Sequence, residues 1–424
     1  MIRPSDSPGP VGSAIENRAA CLQVTESCAV GPLRIPVRPS VPSPPPRLEA
    51  DLLRRQSRGD LKVRSAAAYR SLVAEVGLEE AFAATDVVVA SEATFTDQGS
   101  LVLGLGPCDP PIRLREGQLG GVPFQGGHGS GELVLPIGGA AGDPLRTGGA
   151  QILGRLLRQE ALPLVARGEG TPLQPRLDLE LSLGLERIGT ARLLLHRAIV
   201  ENGLVAVSSA EGLIRSPWGP LLGPFSSALY TCAGPGSIGL TSPQLACLGP
   251  GSPVLVAGAT GWVLGPGHGH QPKPRRLASG HARSPGAAVA VAADLHDLQS
   301  RWIRPCWFEG HGSALLVAIA APVPLRTVED ARLAATPAEQ LEAPVLDLSI
   351  PRRIKPGFGG VPYSALLQGL IPVDGHRVAA APAHSPRLAA EIAEDLVQRL
   401  QDNRFPLRFP ALPLSPRPGL LPLD

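Results

Sequence analysis

The chain has 424 residues, a formal net charge of +2 and 43% hydrophobic residues. A full core can be buried, but with aromatics at only 4% it must be built mainly from Leu, Val and Ala. The near-neutral balance argues against a dedicated nucleic-acid binder, which would carry a basic stripe, and no apolar run approaches the roughly 20 residues of a membrane-spanning helix.

The 49 glycines and 47 prolines, with no collagen period, predict many turns and short elements rather than a helical bundle. Six cysteines, Cys21, Cys28, Cys108, Cys232, Cys247 and Cys306, never fall in C-x-x-C spacing. In a chain of this length they read as reduced thiols, and with no apolar signal core at the N-terminus the expected location is the cytoplasm.

Residues 1–46 are rich in Pro, Ser and Arg and lack periodicity, which predicts a disordered arm. A short helix is expected near 48–56, and Ser65 reads as the N-cap of a helix over 66–76 closed by Gly77. Another turn or two of helix covers 78–84. The stretch 86–114 then gives an apolar run at 87–89, a polar turn at 92–100, a second run at 101–105 and the corner Asp109-Pro110-Pro111-Ile112. Two buried strands ending in polar or glycine-rich turns suit a pocket at strand ends, and equally a structural hairpin.

The glycine-rich segment 117–149 reads as a mobile surface loop; no P-loop is present, because no glycine precedes a lysine. Gly148-Gly149-Ala150-Gln151 opens a helix over 152–158, which suits anion binding or a tight turn. Strands are expected at 162–166 and 177–183, and a helix over 186–200. Gly234-Pro235-Gly236-Ser237-Ile238-Gly239 fits G-x-G-x-x-G, but Pro243 interrupts any following helix and no carboxylate stands where a ribose would need it. Apolar runs at 287–298 and 314–321 bracket Trp302, Cys306 and Trp307. The adjacent Arg352 and Arg353 form either a solvated loop or a bidentate anion clamp. Ser385 and Pro386 start a last helix with Leu388, Ile392, Leu396 and Leu400 on one face, and residues 415–424 form a Pro-rich tail. The sequence shows no H-E-x-x-H, Cys/His cluster or serine nucleophile elbow, so no metal site and no cofactor are expected. The expected fold class is α/β, a mixed-sheet body over 47–414.

Several of these segments, in order, resemble the homocysteine biosynthesis (sulfur-incorporation) family. Asp109-Pro110-Pro111-Ile112 reproduces its Asp-Pro-Pro-Ile. Gly148 and Gly149 match two of its Gly-Gly-Gly-His, and Thr171, Pro175 and Arg176 match its Thr-Asp-Cys-Tyr-Pro-Arg. The glycines of 248–265, His270 with Pro272, and Pro351-Arg352-Arg353 followed by Gly360-Val361-Pro362-Tyr363 continue the series. The resemblance implies formation of homocysteine from aspartate semialdehyde with a sulfur donor and reducing equivalents. A ferredoxin-like or NIL-domain protein is the implied partner.

The family's two motif cysteines are replaced. Counting twelve residues back from Asp109 gives Asp97, and the second position is Leu173. Neither can carry a persulfide. Cys108 is the nearest thiol, read either as a substitute or as a buried inert cysteine. The expected catalytic positions are therefore Asp97 and Cys108, and the expected substrate contacts are Asp109, Gly148, Gly149, Arg176, His270, Arg352 and Arg353. The alternative is a catalytically silent relative that binds a metabolite or a partner.

Overall fold

Residues 45–138, 140–141 and 146–417 are described by a computed structural model. Most of the expected arm and tail, 1–44 and 418–424, lie outside the described residues. The helices start and stop where the sequence chemistry dictates. Glu49–Arg58 ends at Gly59, whose left-handed φ of 77° lets its N–H reach the last carbonyls. Ala66–Val76 runs from Ser65 to Gly77. The last helix, Pro386–Gln401, begins where the Ser385 hydroxyl accepts the Leu388 N–H at 3.3 Å. Its Leu388, Ile392, Leu396 and Leu400 are buried against the strands Val87–Thr96 and Gly312–Pro324. Each such side chain contributes on the order of 1.5–3 kcal/mol.

A sheet of fourteen strands dominates the body. All its pairings are antiparallel except that of Val63–Ser65 with Val87–Thr96. Val87–Thr96 pairs along its whole length with Gly312–Pro324, from Val87↔Pro324 to Thr96↔Leu315. From there the path runs through Pro253–Val256, Ala259–Pro266, Ala288–Asp294 and Ile188–Val200 to Gly99–Leu105. The two strands of the 86–114 stretch are therefore not a hairpin. Only Asp97 and Gln98 join them, yet five strands lie between them in the sheet. Laid flat, six strand spacings would separate them by about 29 Å, while three Cα steps reach about 11 Å. The sheet must curl until its sixth neighbour returns to the first.

Three expectations change. The strand from Val87 continues to Thr96, so residues 92–96 are not a turn: pairing with an apolar partner outweighs the polar composition. The segment 117–149 is not a mobile loop but strands Leu114–Leu119, Val122–Gly126 and Glu132–Pro136, with a short piece at Ala140–Ala141. Buried Leu119, Val122, Phe124, Leu133 and Leu135 give it a strand period, while Gly120 and Gly121, at φ 57° and 83°, make the hairpin turn. The expected helix over 186–200 is instead a three-residue 3₁₀ turn and the strand Ile188–Val200. Its Ala191, Leu193 and Leu195 are buried in alternation, and partners on both sides outweigh leucine's helix propensity.

A second, six-stranded sheet runs Gly357–Pro362, Glu342–Asp347, Val205–Val207, Ser227–Tyr230, His376–Pro382 and Leu370–Val373. Two of its pairings are parallel and three antiparallel. It closes a separate core around Val205, Tyr230, Val345, Tyr363 and Val378. The fold is α/β with mixed sheets, as the sequence predicts.

Gly149 tests the packing. A Cβ there would stand 1.9 Å from the Pro136 carbonyl oxygen, whereas at Gly121 it would meet open space at φ 83°. Gly149→Ala is expected to cost more than about 3 kcal/mol, and Gly121→Ala about 1–2 kcal/mol. Urea unfolding of the pair measures both, and equal midpoints would contradict the close approach.

Candidate functional site

The curled sheet leaves a cavity of about 250 Å³ at the Asp97 turn. Alternation along Val87–Thr96 turns Glu92, Thr94 and Thr96 to one face, and all three line this hollow. On the neighbouring residue the Ser91 hydroxyl instead donates to the Ala389 carbonyl of the last helix, at 2.7 Å. Arg197 and Ala198 enter from Ile188–Val200, at the irregularity between Leu195 and Ile199. Asn202, Leu204 and Thr231 close the side toward the smaller sheet, and Trp218 comes from the hairpin turn between Gly212–Ser216 and Gly219–Gly223.

Asp97 accepts a hydrogen bond from His311 Nε2 at 2.9 Å. His311 sits in the turn between Ile303–Phe308 and Gly312–Pro324. Gly138 lies against Asp97, where a Cβ would stand 3.1 Å from its carbonyl oxygen. Arg197 donates through Nη1 to the His268 carbonyl at 2.5 Å, which leaves further guanidinium N–H groups for a ligand. Burial lowers its pKa from the ordinary arginine value.

Glu92 is 3% exposed and has no hydrogen-bond partner among the described residues. Burial pushes its pKa up to about 8. Behind it the Cys232 thiol, itself raised by burial, lies beside Ser237 at 3.3 Å. The Tyr363 hydroxyl donates to Asn202 Oδ1 at 2.6 Å, and Asn202 Nδ2 donates to the Ala282 and Glu342 carbonyls, both at 2.7 Å. The polar wall around the carboxyl is thus satisfied internally.

The expected site residues fall into separate groups. Asp97 is in the cavity. Gly149 packs on Pro136 and Ile137, with Gly148 just before it at the helix start. Their helix start is occupied by the chain itself: Gln151 Oε1 accepts from the Gly148 N–H and the Ser313 hydroxyl, both at 2.9 Å, and Ser313 Oγ accepts the Ala150 N–H at 3.2 Å. Cys108 and Asp109 stand beyond the far end of Gly99–Leu105, on the order of 20 Å from Asp97 at strand rise. Arg176 joins them there, its N–H on the Pro111 carbonyl at 3.4 Å.

His270 is held elsewhere. Its Nδ1 accepts the Ala288 N–H and its Nε2 faces the Ser415 carbonyl, each at 3.1 Å. It lines a larger hollow of about 700 Å³ with Lys273, Arg276 and several prolines. Arg352 and Arg353 are exposed between Glu342–Asp347 and Gly357–Pro362. Among the described residues no three His, Cys, Asp or Glu side chains could share a metal ion, and no helix is long and apolar enough to cross a membrane.

Glu92, Arg197 and Asn202 are absent from the sequence expectations. Glu92 had a signal: a lone carboxylate following the apolar run 87–90, in phase with Val88 and Ala90. Arg197 had none, because the segment carrying it read as a helix, and Asn202 fell in no expected element.

The raised Glu92 pKa makes stability pH-dependent. The native state holds this proton more tightly than the unfolded chain, so stability falls as pH rises from about 4.5 to about 8 and is level beyond. Glu92→Gln has no such proton. It is expected to gain on the native chain by several kcal/mol across that window, read as a divergence of the two melting temperatures from pH 5 to pH 9. Parallel curves would contradict the burial.

Among known proteins, the sequence profile of the family described as "Homocysteine biosynthesis enzyme, sulfur-incorporation" matches residues 61–407. An L-aspartate semialdehyde sulfurtransferase of Methanosarcina acetivorans is 26% identical over 360 residues, 84% of this chain and 70% of that protein. A protein of the same name from Methanocaldococcus jannaschii is 26% identical over 364 residues, 82% of this chain and 69% of its own. No solved structure matches. With its profile matched over most of its length, the chain belongs to the sulfur-incorporating homocysteine biosynthesis family.

Proposed function

We propose that the cavity at Asp97 is where sulfur is incorporated into aspartate semialdehyde to form homocysteine. The carrying observation is that Asp97, which stands where the family has its first motif cysteine, lines one hollow with Glu92 and Arg197. Two relatives are named for this substrate. The chemistry fits: a guanidinium with free N–H groups suits the substrate carboxylate, and a protonated carboxyl suits the aldehyde oxygen. A volume of about 250 Å³, below the roughly 300–1,000 Å³ of drug-sized sites, suits a small metabolite.

Neither Asp97 nor Leu173 can hold sulfur covalently, so the sulfur enters as a small external nucleophile. A ferredoxin-like or NIL-domain partner supplies the reducing equivalents. The body over 47–414 carries the activity, and the unpaired Cys108, Cys232, Cys247 and Cys306 suit a reducing cytoplasm. The replaced cysteines favour one other reading, a family member that binds the metabolite without turning it over.

The test is growth of a homocysteine auxotroph that still makes aspartate semialdehyde, with sulfide and the reducing partner supplied. The native chain is expected to support growth. Arg197→Ala should raise the KM for the aldehyde roughly 10–100-fold, the worth of a hydrogen bond to a charged group, and slow growth accordingly. Cys108→Ala and Arg352→Ala should leave growth intact. A soluble, folded chain that gives no growth would overturn turnover and leave the binding reading.

A further inference from the structure

The proposed function says what the cavity takes; Glu92 bears on how the carbonyl is activated. It is the one polar side chain of the hollow that is both almost fully buried and without a hydrogen-bond partner among the described residues. Its neighbours do not fill that gap. Asn202 is bonded to Tyr363 and two carbonyls, Asp97 to His311, and Arg197 to His268. A buried carboxyl left open costs stability unless a ligand completes it.

We propose that Glu92 is the catalytic acid of this site, donating a hydrogen bond to the carbonyl oxygen of the bound aldehyde and passing its proton there as sulfur adds. This rests on the reading that the cavity binds an aldehyde. The nucleophile is hydrosulfide. Its lone pair forms the C–S bond, the C=O π pair moves to oxygen, and that oxygen takes the Glu92 proton. The product is a hydroxythiol, and Glu92 is left as a carboxylate.

The carboxylate then takes the S–H proton and returns it to the hydroxyl, which departs as water and leaves a thiocarbonyl. Aldehyde, hydrosulfide and the Glu92 proton have become thioaldehyde and water with no change in electrons, and Glu92 regains its proton from solvent before the next turnover. The reduction that follows is a separate step.

Position and proton affinity agree with this role. A general acid is most effective when its pKa lies near the working pH, and burial brings Glu92 to about 8. The titratable groups around it are Asp97 and Arg197 across the cavity and Cys232 and Tyr363 behind it. His384, bridged to Thr94, is held near 4 by burial and is neutral in this range.

The experiment uses the full chain, aspartate semialdehyde, sodium sulfide and dithionite as reductant, with aldehyde affinity measured separately by calorimetry. Glu92→Gln keeps shape and volume but has no acidic proton. It is expected to bind the aldehyde within about threefold of the native chain and to lose about 10²–10⁴-fold in kcat. The ratio of native to variant rates, in which the ionisation of sulfide cancels, should fall as pH rises above about 8. Glu92→Asp should recover part of the rate. If the native chain binds no aldehyde, the site reading fails and takes this proposal with it. If the native chain binds and turns over while Glu92→Gln retains kcat, or loses only affinity, the site reading stands and the acid assignment falls.

Discussion

The two-residue link between Val87–Thr96 and Gly99–Leu105 is the constraint from which the rest follows. Sequence neighbours separated by five strands force the sheet to bend back on itself. The last helix covers the opposite face of Val87–Thr96, so that strand is enclosed on both sides. At the position of Glu92, 3% exposed, a polar side chain on its inner face is nearly cut off from bulk water. It must find a partner or face the hollow, and Glu92 faces the hollow.

An unpaired buried carboxyl is a local violation of good packing, and it survives because its surroundings over-determine it. Glu92 pairs in register with Ile319 in the long strand Gly312–Pro324, which is buried almost throughout. The buried apolar residues along both strands set its position, and one proton-dependent deficit is small against them. Functional groups are where a sequence departs from its own local rules. In this sheet the departure comes at the curl, where the link must pass and where the smaller sheet leaves a gap for Asn202 and Thr231.

The sequence carried more of the fold than of the site, for physical reasons. Helix boundaries were legible because they are set locally, by Ser65 and Gly77 or by Ser385 and Pro386. Strand length and pairing were not, because they depend on partners distant in the chain. Leu193, Leu194 and Leu195 have helical propensity and become strand only between two partner strands. The glycines at 120 and 121 suggest mobility until Leu119 and Val122 are seen to bury their side chains. Asp97 could be found by counting along a motif. Arg197 could not, since its approach to Asp97 depends on the curl alone.

On the resemblance, which puts a family cysteine at position 97, an aspartate there changes what the chain itself must supply. A thiol at position 97 would store sulfur; a carboxylate bonded to His311 can only hold charge and protons. Among the described residues the other thiols do not take over that storage. Burial raises the pKa of Cys232 and Cys306 and pushes Cys247 to about 11, which suppresses the thiolate that sulfur transfer requires. Cys108 stands at the other end of Gly99–Leu105. A cavity with no usable thiol among the described residues, but with a carboxyl poised near neutrality inside it, is suited to managing protons on a carbonyl while sulfur comes from outside. On the proposed reading, losing the cysteines moves the sulfur-carrying task off the chain and leaves carbonyl activation as its own contribution.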